Sequence, residues 1–147
     1  MAYLCGAYPQ IRWFGWPFFR IIESYLFYWI MHIEQLRDYC LGKPGVTESF
    51  PFGPETLVFK VAGKIFLLTG LDSQPLSFNV KCDPPYAQEL REQYPDTVTG
   101  AYHMNKKHWN TLYCNGVLND TMLIRLIDHS YDLVVAKLPK SAREALR

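Results

Sequence analysis

The chain lacks a dominant charge. Its 15 lysines and arginines stand against 14 aspartates and glutamates, a net charge of +1 over 147 residues. That removes the global basic field of many nucleic-acid binders and leaves a local patch as the only route to the same end. Cysteine is sparse: Cys5, Cys40, Cys82 and Cys114 include no CxxC pair, which argues against a disulfide framework or a zinc ribbon. The four are expected to be reduced thiols filling space as small hydrophobes in a cytosolic protein. His103 and His108 are five apart, and no spacing rule joins them to a cysteine as metal ligands, so neither metal nor cofactor is expected. A Gly-rich phosphate loop, HExxH and GxSxG are all missing, and no enzymatic chemistry is expected. Asp128-His129-Ser130 sets the residue types of a hydrolase triad side by side. Adjacent helix positions point different ways, so Ser130 is expected near a packed face, with Asp128 and His129 in solvent.

What is abundant is unevenly placed. Residues 1–30 carry 11 of the 23 aromatic side chains. Arg12, Arg20, Glu23, Pro9 and Pro17 interrupt the apolar run, against both a signal peptide and a membrane-spanning helix. Three readings fit: sequence upstream of the true start with Met31 as initiator, which is favoured; an aromatic arm docking on the domain or a partner; and an interfacial membrane segment. Setting these residues aside removes Arg12, Arg20 and Glu23 and leaves 13 charges of each sign. The domain proper is therefore neutral.

From residue 31 the pattern is that of one globular domain. Residues 31–41 read as a helix with Ile33, Leu36 and Cys40 on one face, stopped by Gly42 and Pro44-Gly45. Residues 48–55 hold too many prolines for regular structure and are expected to be a loop pinned by burial of Phe50 and Phe52. Residues 56–61 and 64–69 are β-branched and aromatic runs separated by Ala62-Gly63, a tight hairpin, with Lys60 and Lys64 projecting at its end. A third strand covers residues 76–82, with Leu76, Phe78, Val80 and Cys82 facing the core and Ser77, Asn79 and Lys81 facing away. Asp83-Pro84 opens a second helix carrying Ala87, Leu90 and Tyr94, which Pro95 ends. Residues 96–107 are expected to be irregular and 109–114 extended, closing at Asn115-Gly116. Asn119 caps a last helix whose buried face is Leu123, Leu126, Ile127, Tyr131, Val134 and Leu138; residues 139–147 form a basic tail. The order α-β-β-β-α-β-α predicts an α+β sandwich, an antiparallel sheet with helices on one face.

Residues 100–116 concentrate the candidate chemistry. Trp109 is either a core or sheet-edge aromatic or an exposed indole beside Lys106, Lys107 and His108, suited to stacking on a base while lysines hold phosphate. Asn105 and Asn110 either read a base edge or tie down their own turns. Lys60, Lys64, Lys81, Lys106 and Lys107 make a patch if all five lie on one side.

The segments Pro44-Gly45-Val46-Thr47-Glu48, Phe50-Pro51-Phe52, Val58-Phe59-Lys60-Val61, Lys81-Cys82-Asp83-Pro84, Tyr102-His103-Met104-Asn105-Lys106-Lys107-His108-Trp109-Asn110 and Asp128-His129-Ser130-Tyr131-Asp132-Leu133-Val134, in that order, resemble the MmcQ/YjbR family of small bacterial proteins. The resemblance covers residues 31–138. It implies a frataxin-like (CyaY-like) sandwich and a DNA-binding, non-enzymatic role in which hairpins and loops touch the duplex. Frataxin-like iron binding does not carry over, since Glu34 and Asp38 form no acidic ridge. The expectation is a cytoplasmic monomer, apart from membranes, binding DNA weakly and salt-dependently through Lys60, Lys64, Lys81, Lys106 and Lys107, with Asn105, His108 and Trp109 beside the backbone or a base. The alternative is a small-molecule or protein-binding module with a pocket around Trp109, His103 and Tyr102.

Overall fold

The computed structural model describes residues 30–147, so the readings of the aromatic N-terminal segment lie outside the described residues. The elements are α1 (Ile33–Leu41), β1 (Val46–Ser49), β2 (Thr56–Val61), β3 (Lys64–Gly70), β4 (Ser77–Lys81), α2 (Pro84–Gln93), β5 (Val98–Gly100), β6 (Trp109–Tyr113), α3 (Asp120–Ala136) and α4 (Lys140–Glu144). The strands form one sheet in the order β1-β2-β3-β4-β6-β5, every neighbouring pair antiparallel. This is the expected α+β sandwich with two strands more than the periodicity predicts. Both additions are edge strands: β1 reaches the supposed loop with Glu48 and Ser49 only, and β5 lies in the supposed irregular stretch. The basic tail winds into α4, whose neighbour Leu146 packs on the core.

Alternation explains the layering. Leu57, Phe59, Val61, Leu67, Phe78, Val80 and Leu112 point to one side and meet Leu36 and Cys40 of α1, Ala87 and Leu90 of α2, and Leu123, Leu126, Ile127 and Val134 of α3 in a single core. Cross-strand partners Ser49, Val58, Leu68, Asn79, Thr111 and Thr99 run along the other side. The β2–β3 hairpin turns at Ala62 (φ 47°) and Gly63 (φ 74°), the two left-handed residues a tight two-residue turn needs, so alanine carries strain there. Phe50 and Phe52 correct the expectation of aromatic burial: they are 48% and 65% exposed. The segment is held by backbone instead, through β1–β2 pairing and the Thr56 N–H donating to the Gly53 carbonyl at 3.3 Å.

A bulge ties the sheet to α3. Phe59 pairs with Leu67 and Lys60 with Ile65, which leaves Phe66 as an extra residue. The Ser130 hydroxyl donates to the Phe66 carbonyl at 2.5 Å and accepts from the Lys81 N–H at 2.8 Å, filling the gap where β3–β4 pairing stops at Leu67 and Val80. Ser130 is thus on the packed face as expected, whereas Asp128 and His129 depart from expectation. Both are half-buried and partnered: Asp128 accepts from Lys43 Nζ at 2.5 Å and Tyr39 Oη at 2.7 Å, and His129 Nε2 accepts from the Asp83 N–H at 3.2 Å. Asp83 opens α2 without a side-chain cap bond.

Candidate functional site

The loop joining β5 to β6 organises the site. Its turn is self-made: Asn105 Oδ1 accepts from the Lys107 N–H at 3.0 Å, and its carbonyl accepts from the His108 and Trp109 N–H groups at 2.9 and 3.0 Å. Arg91 of α2 clamps the loop from beneath. Its Nε donates to Asn110 Oδ1 at 2.7 Å, and its Nη2 donates to the Lys106 carbonyl and, at 3.4 Å, to the Trp109 carbonyl. Asn110 is fully buried and gives its amide to the Ala87 carbonyl at 3.2 Å, so it holds the loop to α2 and has no edge left for a base. Sequence reasoning missed Arg91, because nothing in the spacing of 91 and 110 reveals that they meet.

The loop has two sides, each lining its own cavity. One cavity, about 350 Å³, is bounded by Lys81, Cys82, Asp83, Pro84, Asn105, His108, Trp109, Leu133 and Lys137. Trp109 is 7% exposed and lies under Lys81, whose Nζ is 5.4 Å from the indole centre. This corrects the exposed-indole reading: the ring supports a cation and is covered by it, so it presents no free face for stacking. The Lys81 ammonium is held below its ordinary pKa, first by burial and then by the charges of Lys137 and Lys64. Among the described residues, none of Lys64, Lys81 and Lys137 pairs with a carboxylate. Asp83 borders the cavity without an ion pair to either lysine there. The site therefore gathers like charge and leaves it uncompensated.

Lys137, two residues before the predicted basic tail, has no role in the sequence reading. It follows Leu133 by four residues at the end of α3, the spacing that puts both on one helix face, and that periodicity could have placed it here. The other predicted lysines scatter. Lys64 pairs with core-facing Val61, whereas Lys60 alternates to the opposite side, so the two do not share a face. Lys106 lays its stem against Gly100 and its Nζ 5.8 Å from the Tyr102 ring, while Lys107 is exposed at the loop tip. The five lysines do not form one patch, because strand alternation and the loop's two sides divide them.

The second cavity, about 540 Å³, lies against the sheet side away from the helices. Phe52, Leu68, Ser77, Asn79, Thr111, Tyr102, His103 and Met104 are among its walls. Trp109 and His103, grouped around one pocket in the alternative reading, thus line separate cavities. Among the described residues no group of three or more histidines, cysteines or carboxylates could hold a metal ion. The buried thiols are held protonated, Cys40 and Cys114 pushed up to about 12 and Cys82 to about 11, mainly by burial.

Six antiparallel strands backed by helices define an α+β sandwich whose loop between the last two strands carries the candidate chemistry. The YjbR family description matches residues 41–133, and the chain belongs to that family. It is 39% identical over 115 residues to YbdF of Escherichia coli O157:H7, covering 78% of this chain and 93% of that one. It is 34% identical over 117 residues to YjbR of Escherichia coli strain K12, covering 79% and 98%. Both relatives are described as uncharacterized, so they bring a family without an activity. Among solved structures, the Deinococcus radiodurans protein DR2400, with its DUF419 domain, aligns at a TM-score of 0.75 and 38% identity over 80% of this chain and 88% of that one. A Pseudomonas syringae protein aligns at 0.61 and 27%, over 70% and 98%.

Proposed function

We propose that this protein binds DNA without chemical turnover, holding backbone phosphates in the cavity of Lys81 and Lys137. Lys64 stands close enough to add its charge, and Lys107, His108 and Asn105 border the approach. The observation that carries the reading is the pair of lysines, Lys81 and Lys137, that line a cavity with no carboxylate partner among the described residues, Lys81 already partly out of water and Lys64 adding its charge. Concentrating cations this way costs folding stability unless an anion completes the site. Phosphate satisfies that need, and a chain of phosphates explains why further lysines sit on the adjoining loop and hairpin. With a neutral domain, binding is local, weak and strongly dependent on salt. The reading includes a cytoplasmic monomer acting away from membranes; among the described residues no helix is long and apolar enough to cross one.

The test is a fluorescence-anisotropy titration against DNA over a series of salt concentrations. Replacing both Lys81 and Lys137 with alanine removes two phosphate contacts and flattens the slope of log K against log salt by about 1.8. The same change at Lys60, on the other side of the sheet, leaves the slope near wild type. An unchanged slope in the double variant refutes the site.

A further inference from the structure

The second cavity shares its wall with the first. Tyr102, His103 and Met104 face the cavity on the sheet, and the next residue, Asn105, faces the lysine cavity together with His108. Two aromatic rings border the sheet cavity while remaining largely in water, Phe52 at 65% and Tyr102 at 82% exposure. Rings left so exposed contribute little to folding; Phe52 has no aromatic partner among the described residues, and Tyr102, whose ring centre is 4.8 Å from the perpendicular His103 ring and 5.8 Å from Lys106 Nζ, keeps the rest of its surface in water. The floor is polar. Thr111 Oγ1 donates to Asn79 Oδ1 at 2.6 Å, which turns the amide so that its two N–H donors point away from Thr111, and no described residue accepts from them. Lys106, free of any carboxylate among the described residues, stands over Tyr102 and brings positive charge to the rim.

From this arrangement we infer that the sheet cavity receives an unpaired base of a DNA strand whose phosphate occupies the lysine cavity, so that the protein prefers single-stranded DNA to duplex. The inference rests on the phosphate reading above and names the form of DNA that reading leaves open. Phe52 and Tyr102 supply stacking surfaces, which any base can use once it is unstacked from its neighbours. The Asn79 amide supplies donors that match a carbonyl oxygen on the base edge, as in thymine. In a duplex the base faces are already stacked and the pairing edges already bonded, so neither feature can be satisfied. Lys106 then lies where the strand's backbone passes between the two cavities.

The experiment compares binding of the full chain to a labelled oligothymidylate, to a duplex of the same length, and to an abasic strand with the same number of phosphates. The expected result is tightest binding to oligothymidylate. Tyr102→Ala and Phe52→Ala, both exposed and outside the core, each weaken that binding by about tenfold and leave binding to duplex and to abasic strand unchanged. Equal or tighter binding to duplex, or a loss in the alanine variants that is absent or equal for all three probes, overturns the inference. In either of those cases a flattened salt slope in the Lys81 and Lys137 double variant still upholds the phosphate site. If no DNA form binds, both readings fall together. Retention of the wild-type circular dichroism spectrum and melting curve in each variant separates a binding effect from unfolding.

Discussion

Lys43 and Lys81 have much in common: each holds its ammonium beside aromatic rings and partly out of water. Lys43 stands 5.1 Å from the ring centre of Tyr39 and 4.9 Å from that of Tyr131, and its charge meets Asp128 at 2.5 Å. Tyr39 donates to the same carboxylate, and the Tyr131 hydroxyl donates to the Pro44 carbonyl at 2.8 Å. Every polar group in that cluster has a partner within the fold. Lys81 lies over Trp109 with Lys137 and Lys64 as its charged neighbours, and no carboxylate among the described residues pairs with it. The first arrangement holds its counter-charge inside the fold, and the second has none among the described residues. Burial of a lysine therefore says nothing about its role until its counter-charge has been found.

Truncation should separate the two most sharply. Lys43→Ala removes two cation–π contacts and an ion pair and leaves the half-buried Asp128 with only its tyrosine, costing about 2 kcal/mol in urea unfolding. Lys81→Ala removes mutual repulsion along with its packing over Trp109 and should stay within about 0.5 kcal/mol of wild type. Equal losses at both positions would erase the distinction.

An anion should sharpen it further. Inorganic phosphate at about ten times its dissociation constant stabilises the wild type by about 1.4 kcal/mol through binding to the folded state alone. The Lys43→Ala protein should keep that increment, and Lys81→Ala should lose most of it, as read from melting temperatures at constant ionic strength.

In alkaline solution the two clusters act with opposite signs. The Lys81 pKa is lowered on folding, so the unfolded chain binds more protons as pH approaches 10.5, and this group makes stability rise with pH there. Tyr39 is raised from 10.0 to about 12 by burial and by its bond to Asp128, so the folded chain keeps a proton that the unfolded chain loses. It makes stability fall between pH 10 and about 12, and the buried thiols add to that fall. Subtracting the Tyr39→Phe and Lys81→Ala curves from wild type isolates the two slopes; slopes of the same sign would mean that one environment has been misassigned.

The parts legible in the sequence were those in which local pattern and final packing agree. The β2–β3 hairpin, the alternation of β4 and the long buried face of α3 follow directly from periodicity. β1 and β5 escaped because a short edge strand offers too few positions for alternation, and flanking prolines or polar residues outweighed Val46-Thr47 and Thr97-Val98-Thr99. The site was half visible. Asn105, Lys81 and His108 do border one cavity, and its second lysine, Lys137, comes from a helix end 56 residues beyond Lys81 in sequence. Arg91 and Asn110 meet only because α2 lies beneath β6. Local propensity carries no information about such encounters; they are properties of the assembled layers.

The two boundary strands of the sheet, β1 with four residues and β5 with three, are its shortest. Each boundary offers a passing polypeptide only a few unpaired backbone groups, too little to template a further strand. Leu146 packs against Gly45, just before β1, where a side-chain carbon would collide with it. Short boundaries of this kind discourage copies of the chain from pairing sheet to sheet through the described strands.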